Sequence, residues 1–184
     1  MQTQENIPSH ARLVIVGAGI VGCTAAYHFA KLGWKDVIVV DKGDLQEVDG
    51  STSHAPGGMF LTNSSKMMTE FAKYSQDLLK TLTHPEGPTI FQVGGIEVAY
   101  TRDRWNDLHR KRGFAKAYGL ESFLISPAEV KQLVPILDDS KIFGAYYVKR
   151  DSVAKSIRSC ESLRNLANEI GGVKFYGNKD GKAE

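Results

Sequence analysis

Cysteine is scarce in this chain: two residues among 184, Cys23 and Cys160. Neither belongs to a C-x-x-C pair, so no zinc site and no disulfide framework are indicated, and both read as packing residues in a reducing compartment. Long apolar runs are absent as well. No stretch approaches the roughly 18 residues needed to span a bilayer, so no membrane partner is expected. A dominant charge is lacking too. A formal net charge of +2 at pH 7 is too small to argue for nucleic acid or an anionic membrane. The basic cluster His109, Arg110, Lys111 and Arg112 lies in an expected helix and reads as a solvated face. Internal repeats and low-complexity linkers are missing. The start, 1–10, is short and polar, without a signal-peptide core or an arginine-rich presequence. The cytoplasm is the default location, with the mitochondrial matrix as the alternative. What remains is the composition of an ordinary globular domain, 42% apolar and 24% charged, long enough to bury a substantial core.

Against that plain background one stretch stands out, LVIVGAGIVGCTAAYHFAKLGWKDVIVVDKG from Leu13 to Gly43. It reads as an apolar strand, a glycine turn, a helix from about Ile20 to Leu32, and a second strand from Val37 to Val40. Gly17 lets the chain reverse at the end of the first strand. Gly19 leaves room for a pyrophosphate, and Gly22 lets the helix pack closely on the strand. The helix N-terminus aims its amides and positive dipole end at the phosphates. Gly33 is placed to end that helix. Asp41 follows at the tip of the second strand, nineteen positions after Gly22, where a carboxylate can accept hydrogen bonds from ribose hydroxyls.

The segment Gly50-Ser-Thr-Ser-His-Ala-Pro-Gly-Gly58 then gathers hydroxyls and backbone amides in one glycine-flanked loop, able to wrap the middle of a dinucleotide. Beyond it, a helix is expected from about Lys66 to Leu82, burying Met67, Met68, Phe71, Leu78, Leu79 and Leu82 on one face. The runs Thr89–Val93 and Ile96–Tyr100, flanking Gly94 and Gly95, read as a β-hairpin. A helix from about Asp103 to Tyr118 follows, with Trp105, Leu108, Phe114 and Ala117 as core contacts. Ser126, Pro127 and Glu129 mark the start of a short helix with a capping box. A strand is expected from Ile142 to Val148. A last helix, capped by Asp151 or Ser152, presents Val153, Ile157, Cys160, Leu163, Leu166, Ala167 and Ile170. A strand from Val173 to Tyr176 returns by a crossover to make a third parallel strand, and the polar tail 178–184 is expected to fray.

The segments VIVGAGIVG, VVDKG, GSTSHAPGG, SKMMTEFAKYS, FQVGGIEVAYT, LISPAEV, LVPILD and GAYYV resemble the dimethylglycine oxidase and dimethylglycine and sarcosine dehydrogenase branch of the D-amino-acid-oxidase-like FAD oxidoreductases. The resemblance runs over nearly the whole chain with similar spacing. It implies an α/β fold: a Rossmann-like FAD-binding domain, a parallel sheet with flanking helices, carrying an inserted, incomplete α+β substrate domain. The expected division is 1–88 for the FAD-binding unit and flavin-side loop, 89–150 for the start of the substrate domain, and 151–184 for the returning helix and strand. The resemblance further implies that Gly17, Gly19, Gly22 and Asp41 bind the ADP part of FAD, that Ser51, Thr52 and Ser53 run toward the flavin, and that His54 stands where several relatives attach FAD covalently. The dehydrogenases usually carry a bulkier residue before that histidine.

The implied activity is hydride transfer to flavin from the C–H next to the nitrogen of a small secondary or tertiary amine. In such relatives the catalytic and substrate-carboxylate residues come later in the chain, so no catalytic residue is named here. This polypeptide is accordingly expected, by itself, to bind FAD weakly and to turn over little. Two competing readings stand beside the first. A NAD(P)-linked dehydrogenase accounts for the fingerprint but leaves GSTSHAPGG without a role. A truncated, non-catalytic FAD-binding paralogue or subunit would need a completing polypeptide or a homo-oligomer.

Overall fold

The computed structural model describes residues 7–45 and 50–177, and the tail 178–184 expected to fray lies outside them. In chain order the elements begin with β1 (Leu13–Val16), α1 (Ile20–Lys31), β2 (Val37–Asp41), α2 (Ser51–His54), β3 (Gly58–Met59), α3 (Lys66–Thr81), β4 (Ile90–Gln92) and β5 (Gly95–Ala99). They continue with α4 (Arg102–Ala117), β6 (Phe123–Ile125), α5 (Pro127–Leu133), a 3-10 turn at Asp139–Lys141, β7 (Gly144–Val148), β8 (Ser152–Ala154), α6 (Ser156–Ile170) and β9 (Val173–Gly177). The chain divides into two compact units, one of 1–57, 82–89 and 155–184, the other of 58–81 and 90–154. The segment 58–81, grouped above with the cofactor half, therefore folds with the second unit.

The first unit is an α/β layer. Its sheet has the order β1-β2-β9 with both pairings parallel, Leu13 opposite Val37 and Val37 opposite Val173. The returning strand predicted from the sequence is thus the third parallel strand. Helices α1 and α6 pack on each other through small residues, with Cys23, Ala26 and Ala30 of α1 and Cys160, Leu163 and Ala167 of α6 all buried. Such residues let two helix backbones approach closely while still removing apolar surface from water. The middle strand β2 has Val37, Ile38 and Val39 buried, as a strand between neighbours should be. β1 is an edge strand among the described residues. Its side chains alternate, Leu13 and Ile15 half-buried, Val14 and Val16 exposed, Val16 to 85%.

The second unit is antiparallel throughout, in two three-stranded sheets of order β3-β8-β4 and β5-β7-β6. This overturns the hairpin reading. β4 and β5 do not pair with each other; β4 joins β8 and β5 joins β7. Asp151 decides the matter physically. Its carbonyl accepts from the amides of Val93 and Gly94, at 3.2 and 2.9 Å, and its carboxylate accepts from the Leu61 amide at 2.9 Å. A Cβ on Gly95 would lie 2.4 Å from that carboxylate, so the glycine pair serves the approach of Asp151 rather than a two-residue turn. The last helix likewise begins later than expected: Ser152–Ala154 is strand β8, and Val153 lies on it, not on a helix.

Helix α3 forms where predicted, and Leu79 and Leu82 are buried as expected, but the N-terminal part of the expected face is not. Thr69, Gln76 and Leu79 are buried, while Met67, Met68 and Phe71 are exposed. Gln76 Nε2 donates to the Ser152 hydroxyl at 2.8 Å and to the Arg150 carbonyl at 2.5 Å. A buried amide that finds partners is tolerated where an unpaired one is not. In α4, Leu108 and Ala115 face the core made by Leu61, Ala99, Leu120, Tyr146 and Val148, with Trp105 beside it; Phe114 and Ala117 point outward, contrary to expectation. The capping box of α5 is realised: Ser126 Oγ accepts from the Glu129 amide at 3.3 Å, and Glu129 accepts from the Ser126 amide at 2.7 Å. The Ser126 amide and the Ser126 hydroxyl, which also donates to the Glu129 carboxylate at 2.7 Å, hold that carboxyl below its ordinary pKa.

Candidate functional site

A cleft of about 560 Å³ opens in the first unit at the carboxyl end of β1 and β2. Its walls are the glycine turn and start of α1, from Ile15 to Gly22, the stretch Val40 to Leu45 after β2, and Gly50 to Thr52. Ligands of parallel α/β sheets bind at this end of the strands, where loops and helix N-termini converge.

Two glycines are dictated by the geometry. Gly17 has φ +100°, open only to glycine at low cost, and its amide donates to the Val40 carbonyl at 2.7 Å, tying the turn to β2. A Cβ on Gly22 would stand 1.8 Å from the Gly17 carbonyl oxygen, so no other residue lets α1 start so close to the turn. Gly19 caps the helix without a side chain. A Cβ there would come within 2.9 Å of Thr52 Oγ1.

Thr52 matters for a second reason. Its hydroxyl accepts from the Ile20 amide at 3.1 Å, which is the first of the donors that a helix leaves without an internal partner. An oxygen thus already sits where the α1 amides favour negative charge. Asp41 lies on the other wall. One carboxylate oxygen accepts from the Ala18 amide at 2.6 Å, and the other from the Gly43 amide at 2.9 Å. The acid locks the glycine turn from within and retains acceptor capacity, since each carboxylate oxygen has two lone pairs.

Six of the eight site residues expected from the sequence line this one cleft: Gly17, Gly19, Gly22, Asp41, Ser51 and Thr52. Ser53 and His54 are not among its lining residues. They lie on α2, a single helical turn where the sequence suggested only a loop. Ser53 Oγ donates to the Gly50 carbonyl at 2.8 Å and accepts from the Gly50 amide at 3.1 Å. His54 is exposed, with Nδ1 2.8 Å from the Gly50 carbonyl. Sequence reasoning did not name Lys42 to Leu45, which complete the wall; their only signal is the polar run directly after Asp41. Among the described residues no cluster of His, Cys, Asp and Glu could hold a metal ion, and no helix is long and apolar enough to cross a membrane.

The donor set fits a dinucleotide: unhindered backbone amides at a helix start, a hydroxyl beside them and a carboxylate at the neighbouring strand tip. Comparison with known proteins agrees. The family described as FAD dependent oxidoreductase (DAO) matches residues 12–180. The mouse mitochondrial pyruvate dehydrogenase phosphatase regulatory subunit is 33% identical over 92% of this chain and 19% of its own length. Human mitochondrial sarcosine dehydrogenase is 30% identical over 90% of this chain and 18% of its own length. Human mitochondrial dimethylglycine dehydrogenase is 32% identical over 90% and 19%, respectively. The chain therefore spans about a fifth of the length of these relatives. Among solved structures, L-proline dehydrogenase from P. horikoshii superposes with a TM-score of 0.82 at 25% identity, over 93% of this chain and 45% of that one.

Proposed function

This chain belongs to the FAD-dependent oxidoreductase family, and from that membership we propose that it forms the ADP-binding half of an enzyme that oxidises a small secondary or tertiary amine of the dimethylglycine or sarcosine type. The observation that carries the reading is the convergence of the α1 amides, the Thr52 hydroxyl and the Asp41 carboxylate on one cleft. In it Gly17, Gly19 and Gly22 keep the pyrophosphate's approach clear, the helix start stabilises its charge, and Asp41 accepts the ribose hydroxyls. When bound, FAD supplies the acceptor for the hydride on the carbon beside the amine nitrogen. Residues of this chain bind and orient the cofactor, and the second unit is the beginning of the substrate domain. The amine class rests on the names of the sarcosine and dimethylglycine dehydrogenases. The alternative of a non-catalytic FAD-binding subunit is less favoured, because the family and relatives such as the sarcosine and dimethylglycine dehydrogenases are oxidoreductases.

His54, exposed on α2 in the loop region after β2, is the residue we assign as a covalent tether. Acid precipitation followed by a flavin absorbance measurement tests cofactor and tether together. Flavin is expected in the protein pellet, and His54→Ala should move it to the supernatant. Flavin in the supernatant from both proteins would sink the tether while leaving the cofactor. No flavin in either, even after incubation with excess FAD, would sink the cofactor reading itself. Turnover is assayed with dimethylglycine and sarcosine, and a completing polypeptide or a second copy of the chain is the partner we propose. For location we keep the cytoplasm and the mitochondrial matrix as the two proposals. The mitochondrial relatives support the second, and subcellular fractionation separates them.

A further inference from the structure

Helix α3 makes its core contacts on one side, through Thr69, Gln76 and Leu79. Its opposite side is not polar. Met67, Phe71 and Tyr74 are each more than half exposed, and Leu78 stands half-buried one turn further on. Their spacing, i, i+4, i+7 and i+11, sets them in one line along the helix. Exposed apolar side chains scattered singly need no explanation, whereas several in a line mark an interaction surface.

The charges beside that line say what covers it. Lys66, Glu70, Lys73 and Asp77 fall along one flank, because each lies three or four residues after the last. Their signs run plus, minus, plus, minus. From the other end the order is minus, plus, minus, plus, with the same intervals of four, three and four residues. The flank is therefore the complement of its own reverse. In a two-fold pair of antiparallel helices, each flank meets its own counterpart. With the axis between Phe71 and Ala72, Lys66 stands opposite Asp77 and Glu70 opposite Lys73, each twice over. A parallel pair in register would instead set Lys66 against Lys66 and Glu70 against Glu70.

We propose that α3 is a self-association helix, packing antiparallel against α3 of a second copy of this chain through Met67, Phe71, Tyr74 and Leu78. Within one chain Glu70 already meets Lys73 at 3.1 Å, and Asp77 meets Arg150 at 3.0 Å. A carboxylate has about four acceptor sites, so both acids can accept from the second copy as well. Four apolar side chains with one charged flank are fewer than the roughly 20 residues a side of a standard interface. The dimer is accordingly weak and concentration-dependent. This gives a surface to the second copy named above as a partner. Helix α3 belongs to the second unit and lends no residue to the cofactor cleft, so the association does not depend on FAD.

Sedimentation of the purified full chain over about a hundredfold range of concentration measures the association. A monomer–dimer equilibrium is expected. Phe71→Ala should raise its Kd about tenfold or more. Glu70→Lys, which sets lysine against lysine twice, should raise it about fivefold. Adding Lys73→Glu to Glu70→Lys makes the antiparallel pattern complementary again, and should return Kd to within about twofold of wild type. The altered side chains lie outside the core, so urea midpoints in dilute solution should stay close to wild type and show that the variants fold. A chain that stays monomeric at every concentration would overturn the proposal. So would a dimer indifferent to Phe71→Ala, or a double variant no tighter than Glu70→Lys. A one-to-one complex with a different polypeptide, lost in Phe71→Ala while the chain alone stays monomeric, would give the face to that partner and overturn the second copy. Flavin binding on the same samples reads the cofactor proposal separately.

Discussion

The two units use backbone and side chain in opposite ways. In the first, the strands are parallel and the decisive constraints gather at one glycine turn and the strand tip beside it. Gly17 must reverse the chain, Gly22 must clear the Gly17 carbonyl, and Asp41 must reach the Ala18 amide. In the second, every strand pair is antiparallel, and its decisive contacts join distant positions. Asp151 binds Leu61, Val93 and Gly94, and Gln76 binds Arg150 and Ser152. One unit is held by conformation that the local sequence must permit, the other by polar side chains that must find each other across the fold.

The difference is broken most severely at Gly22. A methyl group placed 1.8 Å from a backbone carbonyl cannot be accommodated by moving a flexible side chain. Gly22→Ala should cost about 3 kcal/mol or more and abolish measurable FAD binding, read by thermal melting and flavin fluorescence. Gly50→Ala, at a position with φ −176° and nothing near its Cβ, should change the melting temperature little. If both substitutions behave alike, local backbone constraint does not govern the first unit.

The corresponding change in the second unit is Gln76→Leu. It removes the donor to Arg150 and Ser152 but keeps an apolar side chain of similar size. Leaving the Arg150 carbonyl and the Ser152 hydroxyl short of a partner should cost about 2 kcal/mol, seen as a shift in urea midpoint with FAD affinity unchanged.

How much of each unit the sequence disclosed follows the same line. β1, α1, β2 and β9 were legible because apolar runs, glycines and an acid at fixed spacing leave one arrangement. The cleft residues Gly17, Gly19, Gly22 and Asp41 were legible for the same reason. The pairing of β4 with β8 was not, because Gly94 and Gly95 satisfy a hairpin turn and an Asp151 contact equally well until Asp151 is placed. Strand β6 was hidden by its length of three residues, Phe123–Ile125. Ser152–Ala154 was read as helix because Val153 happens to keep helical spacing with Ile157 and Cys160.

Asp151 allows a sharper test through pH. Burial raises its folded pKa above the ordinary carboxylate value, partly offset by the Leu61 amide, with Lys111 lowering it and Glu97 raising it. A carboxyl raised in the folded state favours folding while protonated, below its unfolded pKa near 3.8. That contribution is lost as pH climbs through the folded value. Asp151→Asn retains an acceptor for the Leu61 amide and cannot ionise. Its stability relative to wild type should therefore improve from pH 4 to pH 7, by about 1 kcal/mol or less, measured as the pH dependence of the urea midpoint. A relative stability that is flat or falls over that range would mean that the carboxylate is held by its neighbours rather than penalised by burial.

The smallest effect is expected where sequence and structure disagree most about packing. Helical spacing assigns Met67, Met68 and Phe71 to the buried face of α3, and on that assignment Phe71→Ala would cost about 3–5 kcal/mol. In the structure Phe71 is 57% exposed and Met67 61%, while Thr69, Gln76 and Leu79 take the inner face. An exposed aromatic on a helix contributes little, so Phe71→Ala should shift stability by no more than about 0.5 kcal/mol, whereas Leu79→Ala on the same helix should cost about 2–5 kcal/mol. Leu79 is inward on both assignments and serves as the reference, so urea unfolding of Phe71→Ala decides between them. If Phe71→Ala proves the costlier, the Gln76 contacts do not set the rotation of α3, and the polar account of the second unit fails with them.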